Sequence, residues 1–127
     1  MTIGIWLTLT FKDADAGIEW LKAIGFTEKE VYRDDDDPSV VVHAEMLWPA
    51  GGGVMFGSHR PRPEWPTQPG QASAYLVTDD VDGAFSAAVR AGATPLREPR
   101  DEDYGGRAAT VTDPEGNLWS FGSYAPA

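Results

Sequence analysis

The chain has 127 residues, 42% of them hydrophobic and 24% charged, which is the size and mix of one globular domain with a modest core. Twenty acidic against ten basic residues leave a net charge of −10; such a chain repels phosphate backbones, which sets nucleic acid aside, and it favours a cationic ligand or simply solubility. There is no cysteine, so disulfides, thiolate metal sites and a cysteine nucleophile are excluded.

In chain order, the first stretch is MTIGIWLTLTF. It is apolar but lacks the basic start of an export signal, and no apolar run in the chain approaches bilayer length, so the expected location is the cytoplasm with no membrane contact. Residues 3–10 alternate with period 2 and read as a half-buried strand, with Ile5, Leu7 and Leu9 on one face and Trp6, Thr8 and Thr10 on the other. Asp13 or Asp15 then caps a helix whose apolar stripe is Trp20, Leu21 and Ile24, and Gly25 suits its left-handed stop. Strands are expected over about 28–33, 39–48 and 53–58. The run Asp34–Asp37 before Pro38 reads as a solvated hairpin turn, and Pro49-Ala50-Gly51-Gly52 as a second turn.

Residues 59–70 contain four prolines and Trp65, and read as a loop. A second strand–helix unit follows from Ser73, with Asp80 or Asp82 as cap, Phe85, Ala88 and Val89 as stripe and Gly92 as stop. Three more strands are expected at about 94–98, 107–112 and 118–123. Asp113-Pro114-Glu115-Gly116 makes the tight turn before the last one.

These two halves are copies. WLTLTFKDADAGIEWLKAIGFT from Trp6 lies over SAYLVTDDVDGAFSAAVRAGAT from Ser73 at an offset of 67 residues without a gap, and VMFGS at 54–58 lies over WSFGS at 119–123 at an offset of 65. Two matches in the same order point to duplication. The fold class is therefore α+β, with two βαβββ modules at about 1–59 and 71–127 in one domain.

The two copies, the helix end GIEWLKAIGF and the closing TVTDPEGNLWSFGSY resemble the vicinal-oxygen-chelate superfamily, the glyoxalase/bleomycin-resistance group. The resemblance covers nearly the whole chain. It implies sheets curved into a concave, mixed-strand cleft, helices packed outside, and a homodimer with two clefts. It also implies either metal-dependent enzymes or metal-free drug binders, because a fold hosts several functions.

In the catalytic members of that superfamily a metal ligand, His or Glu, stands on the first and last strand of each module. The matching positions here are Trp6, Ser73, Ser120 and Met55, the last of which becomes Phe56 if the register slips by one. Indole offers no lone pair, thioether is a soft donor and serine is a weak ligand, so neither a metal nor any other cofactor is expected. His43 and Glu45 share a strand face, but two ligands are too few. His59 reads as a solvated surface residue.

What remains is a cleft lined by Trp6, Thr8, His43, Glu45, Met55, Ser73, Tyr75 and Ser120, with Trp65 and Tyr104 on loops over its mouth. Aromatic faces and hydroxyls suit a flat, partly cationic organic molecule. Trp20 and Trp119 read as core, Trp48 as packing at a dimer edge, and Arg107 as paired with nearby acids. No nucleophile elbow or phosphate-binding loop is present, so no catalytic residue is assigned. The leading expectation is a metal-free binder of the bleomycin-resistance type. The alternative is a glyoxalase-like or dioxygenase-like enzyme using a metal or the His43–Glu45 pair.

Overall fold

The computed structural model describes residues 2–126. The first module runs β1 (Leu7–Phe11), α1 (Ala14–Ile24), β2 (Thr27–Arg33), β3 (Val41–Leu47) and β4 (Gly53–Ser58). The second repeats it as β5 (Ser73–Val77), α2 (Val81–Arg90), β6 (Thr94–Asp101), β7 (Arg107–Thr112) and β8 (Leu118–Gly122). Each module forms its own four-stranded mixed sheet, in the orders β1-β4-β3-β2 and β5-β8-β7-β6, with the first pair parallel and the others antiparallel. The α+β, two-module architecture expected from the repeat is the one observed.

Local chemistry explains the elements. Asp13, not Asp15, caps α1, its Oδ1 accepting the Ala16 N–H at 3.1 Å. Asp80, not Asp82, caps α2 through the Gly83 N–H at 2.9 Å. The second acid of each pair takes the same job in both copies. Asp15 binds the Arg33 guanidinium at 2.6 Å, and Asp82 binds that of Arg107 at 2.8 Å. Gly25 stops α1 at φ +122°, a value that side chains rarely adopt, and donates its N–H to the Lys22 carbonyl.

Several boundaries differ from the sequence expectation, β3 among them at Val41–Leu47 rather than about 39–48. β1 starts at Leu7 rather than residue 3. Ile5 is 88% exposed and the indole nitrogen of Trp6 turns back to the Ile3 carbonyl at 3.2 Å, so this stretch joins no ladder. The last strand ends at Gly122. β6 runs on to Asp101 through Pro95 and Pro99. An edge strand tolerates residues that cannot donate, and the register shifts between Pro95 and Arg97 and again before Arg100.

One apolar core spans both modules. Alternate residues of each sheet point into it: Leu9 and Phe11, Ala44 and Met46, Val54 and Phe56, then Ala109 and Val111, Trp119 and Phe121. Trp20 of α1 packs on Trp119 with ring centroids 5.7 Å apart, and its Nε1 donates to the Ala88 carbonyl of α2. Trp48, expected at a dimer edge, is instead buried against Phe26, and its Nε1 reaches across to the Val77 carbonyl at 2.8 Å. It is an internal bridge between modules. The Asp113 turn is braced inside the second module. Its buried carboxylate accepts from the Glu115 and Asn117 backbone, the Asn117 amide and Trp119 Nε1, all within 3.0 Å. Among the described residues no helix is long and apolar enough to cross a membrane.

Candidate functional site

With helices and core against one side of each sheet, the opposite side carries the other half of the alternation. In the first sheet Thr8, Met55 and Glu45 stand in one row across β1, β4 and β3. In the second sheet the row is Tyr75, Ser120 and Thr110. The rows match by the 67- and 65-residue offsets, so the backbone pairing repeats what the sequence repeat states. The fourth-strand position on this face is Met55; Phe56 is buried on the other side, against Phe11 at 5.1 Å.

The two faces have diverged. In the first sheet a pocket of about 250 Å³ opens beside Thr8, Thr10, His43, Met55 and Gly57, and the proline loop adds His59, Arg60, Arg62 and Trp65 at its rim. In the second sheet the place of Thr8 is taken by Tyr75, whose ring lies over Gly122. A Cβ built on Gly122 would sit 2.0 Å from the tyrosine oxygen. Tyr75 donates to the Tyr124 carbonyl at 2.7 Å, and Tyr124 meets Tyr104 edge to face at 5.9 Å. Burial, with the neighbouring Tyr104 and Tyr124 hydroxyls adding to it against the Tyr124 carbonyl bond, holds the Tyr75 hydroxyl above the usual tyrosine pKa. Ser120 is occupied by Thr110 at 3.1 Å.

Of the ten residues singled out from sequence, Thr8, His43, Met55 and Trp65 therefore line one pocket. Glu45 adjoins it through His43, at 2.8 Å from Nε2. Tyr75 lines a separate, more apolar groove with Ile3, Ile5 and Trp48. Ser73, Ser120 and Tyr104 lie on the second module. Trp6 lines neither; its ring covers Gly53, where any Cβ would meet it at 2.8 Å. Sequence reasoning missed Arg60 and Arg62. Their only signal was position: both fall in the proline loop, which returns across the sheet face.

The His43–Glu45 pair has a defined state. The hydrogen bond from His43 holds the Glu45 carboxyl below its usual pKa, with Lys29 at 3.8 Å as a further positive neighbour. In the tautomer that donates from Nε2 to the carboxylate, Nδ1 is left as an acceptor. The metal positions implied by the fold do not fit a divalent ion. Trp6 is folded onto Gly53, Met55 offers only sulfur, and the Ser120 hydroxyl is engaged by Thr110. Among the described residues no three His, Asp or Glu side chains gather as a metal site.

Two duplicated modules with these sheet orders define the vicinal-oxygen-chelate class of proteins. The model of the Glyoxalase/Bleomycin resistance protein/Dioxygenase superfamily matches residues 5–121, and the chain belongs to that family. Two uncharacterized mycobacterial proteins, from Mycobacterium bovis and Mycobacterium tuberculosis, are each 39% identical over 102 residues, or 80% of this chain. The match takes in 55% and 49% of their lengths, so this chain aligns with about half of each. Among solved structures, TioX from Micromonospora sp. ML1 superposes with a TM-score of 0.70 at 24% identity, covering 96% of this chain and all of that one. The bleomycin resistance determinant encoded on transposon Tn5 gives 0.66 at 19%, over 98% and 100% of the two chains. A glyoxalase I mutant from Zea mays gives 0.70 at 18%, over 94% and 43%. These similarities establish fold, and they include both a resistance protein and an enzyme.

Proposed function

We propose that this protein is a metal-free small-molecule binding protein of the bleomycin-resistance type, which sequesters a flat aromatic molecule on the open face of its first sheet. One observation carries the reading: that face keeps an open pocket flanked by the Trp65 indole and the Met55 thioether, while the family's metal positions hold side chains that cannot bind a divalent ion. Indole and thioether are soft, polarizable surfaces suited to an aromatic ring. About 250 Å³ lies just below the range of ligand pockets, so the occupant is small, or a second copy of the chain deepens the site. The unpaired outer edges of β1 and β5 and the exposed Ile3 and Ile5 support a homodimer. Capture of a toxic aromatic compound in this way would serve antibiotic resistance.

Tryptophan fluorescence tests the proposal. A broad panel of aromatic compounds is titrated into wild-type protein, Trp65→Phe and Trp6→Phe. Saturable quenching that falls away in Trp65→Phe and persists in Trp6→Phe is expected. Failure of the whole panel to perturb the signal overturns the reading.

A second reading has its own support, because His43 and Glu45 form a 2.8 Å pair with the histidine on the pocket wall. In a glyoxalase-like or other lyase/isomerase enzyme, Glu45 would orient the ring, and Nδ1 would accept a proton from a bound substrate in the tautomer that donates from Nε2. Turnover of any panel compound that is lost in His43→Ala would favour this reading over simple sequestration.

A further inference from the structure

The charge of the whole chain and the charge of its pocket have opposite signs. Acidic residues outnumber basic ones two to one over the sequence. Yet among the described residues no carboxylate lines the pocket on the first sheet, whereas Arg60 and Arg62 do. The nearest acids are already engaged: Glu45 by His43 and Lys29, and Glu64 by Arg62. Most basic side chains of this acidic chain are tied to acids, as Arg33, Arg97 and Arg107 show. Arg60 has no carboxylate partner among the described residues, and it stands at the pocket rim. An arginine left free in such a chain, on the rim of a pocket that Trp65 and Met55 also line, is a fork awaiting an anion.

We infer that the pocket selects a small aromatic anion, a carboxylate attached to a flat ring, with the carboxylate on Arg60 and the ring between Trp65 and Met55. This rests on the binding reading above and narrows its ligand class. It also replaces the cationic ligand that net charge alone suggests. Bulk charge acts through solvent and is screened over about 8 Å at physiological ionic strength. Contacts to Arg60 and Trp65 at the pocket rim are closer than that, so the local sign governs which ligand stays.

Three probes sharing one ring separate the possibilities: indole-3-acetate, tryptamine and uncharged 3-methylindole, each titrated by calorimetry. The anion is expected to bind at least about tenfold more tightly than the cation, with the neutral ring between them. Arg60→Gln should reduce the affinity for indole-3-acetate several-fold and leave 3-methylindole unchanged. Arg60 is exposed, so this change spares the fold. Trp65→Ala should weaken all three. Tryptamine binding as well as or better than indole-3-acetate overturns the inference while leaving a binding protein. Equal loss of all three probes in Arg60→Gln also overturns it, by showing a structural role. No saturable heat from any probe up to about 10 mM overturns it as well, and only a silent fluorescence panel would take the binding reading down with it.

Discussion

The Glu115 carboxylate accepts the backbone N–H of Asp13 at 2.9 Å and, through its other oxygen, that of Lys12 at 2.6 Å. The turn that closes the second module thus holds the strand-to-helix corner of the first. Trp48 makes the reciprocal reach, from the matching turn of the first module to the Val77 carbonyl at the end of β5. Each module braces the other's corner.

Removing the brace should be measurable. Glu115→Ala strips two backbone donors of a charged acceptor at a partly exposed site, so stability to urea should fall by about 1 kcal/mol. An unchanged midpoint would mean that water replaces the carboxylate without loss.

The Asp113 carboxylate is buried and accepts four hydrogen bonds. Asp113→Ala leaves all four donors unsatisfied, two of them fully inside the core with Asn117 and Trp119. A loss of about 3 kcal/mol or more is expected. Trp119→Phe removes only one donor and some packing, and should cost less. Denaturation of both variants side by side checks the order.

The repeat suggests a way to close the pocket. Thr8 stands where the second module has Tyr75, and Gly57 stands where it has Gly122, the glycine that lets the tyrosine ring lie on the sheet. Thr8→Tyr should fill the first pocket as Tyr75 fills its counterpart. Ligand binding should be lost while the thermal midpoint stays near or above that of the wild type. Unimpaired binding would place the ligand elsewhere.

Besides Asp37, held low by Ser39, three carboxyls in pairs with basic side chains, those of Asp15, Glu45 and Asp82, sit below their usual pKa, held chiefly by hydrogen bonds from Arg33, His43 and Arg107 respectively. A depressed folded value means that their contribution is present above the unfolded value near 4 and is lost as pH falls through the folded one. Thermal midpoints should therefore be flat through neutral pH with respect to these groups and decline below about pH 4. The Asp15–Arg33 and Asp82–Arg107 pairs are exposed and the His43–Glu45 pair is half-buried, so the decline is modest and the first two contributions shrink in high salt. A midpoint that rises on acidification would contradict the assigned ion pairs.

A homodimer predicts elution at twice the 13.7 kDa chain mass. Ile5→Lys, which puts a charge on the exposed N-terminal segment beside β1, should shift the protein toward the monomer if that segment is buried between copies. A monomeric wild type would remove the dimer and leave the pocket to a single chain.

Much of this was written in the residues. The repeat foretold that Met55 and Ser120 are equivalent, and alternation set Thr8 and Tyr75 on the same open faces, because both act locally; Thr110, which completes the second row, was not foreseen. Trp20 and Trp119 were readable as core for the same reason. Alternation failed at the chain start, where Ile3 and Ile5 have a strand's pattern but no neighbouring strand to complete it. The single shared cleft was the larger difference. The sequence places both open faces, but which surfaces the modules turn toward each other depends on long-range contacts such as Trp48 Nε1 to the Val77 carbonyl. Each module closes its own sheet, so Tyr75 and Ser120 stand on a different sheet from His43. Arg60 and Arg62 escaped notice because a proline-rich loop has no periodicity from which to infer where it returns.

A duplicated fold begins with two equivalent vacancies, and here a tyrosine has closed one of them. The two halves should consequently drift under different rules. On the second sheet, exchanges at Tyr75 and Gly122 are limited by how the ring and the bare backbone fit, and they answer to folding alone. On the first, Thr8, Met55 and the returning loop are free of that fit and answer to whatever the pocket must hold. Random mutagenesis with separate screens for abundance and for binding would therefore sort its hits by module.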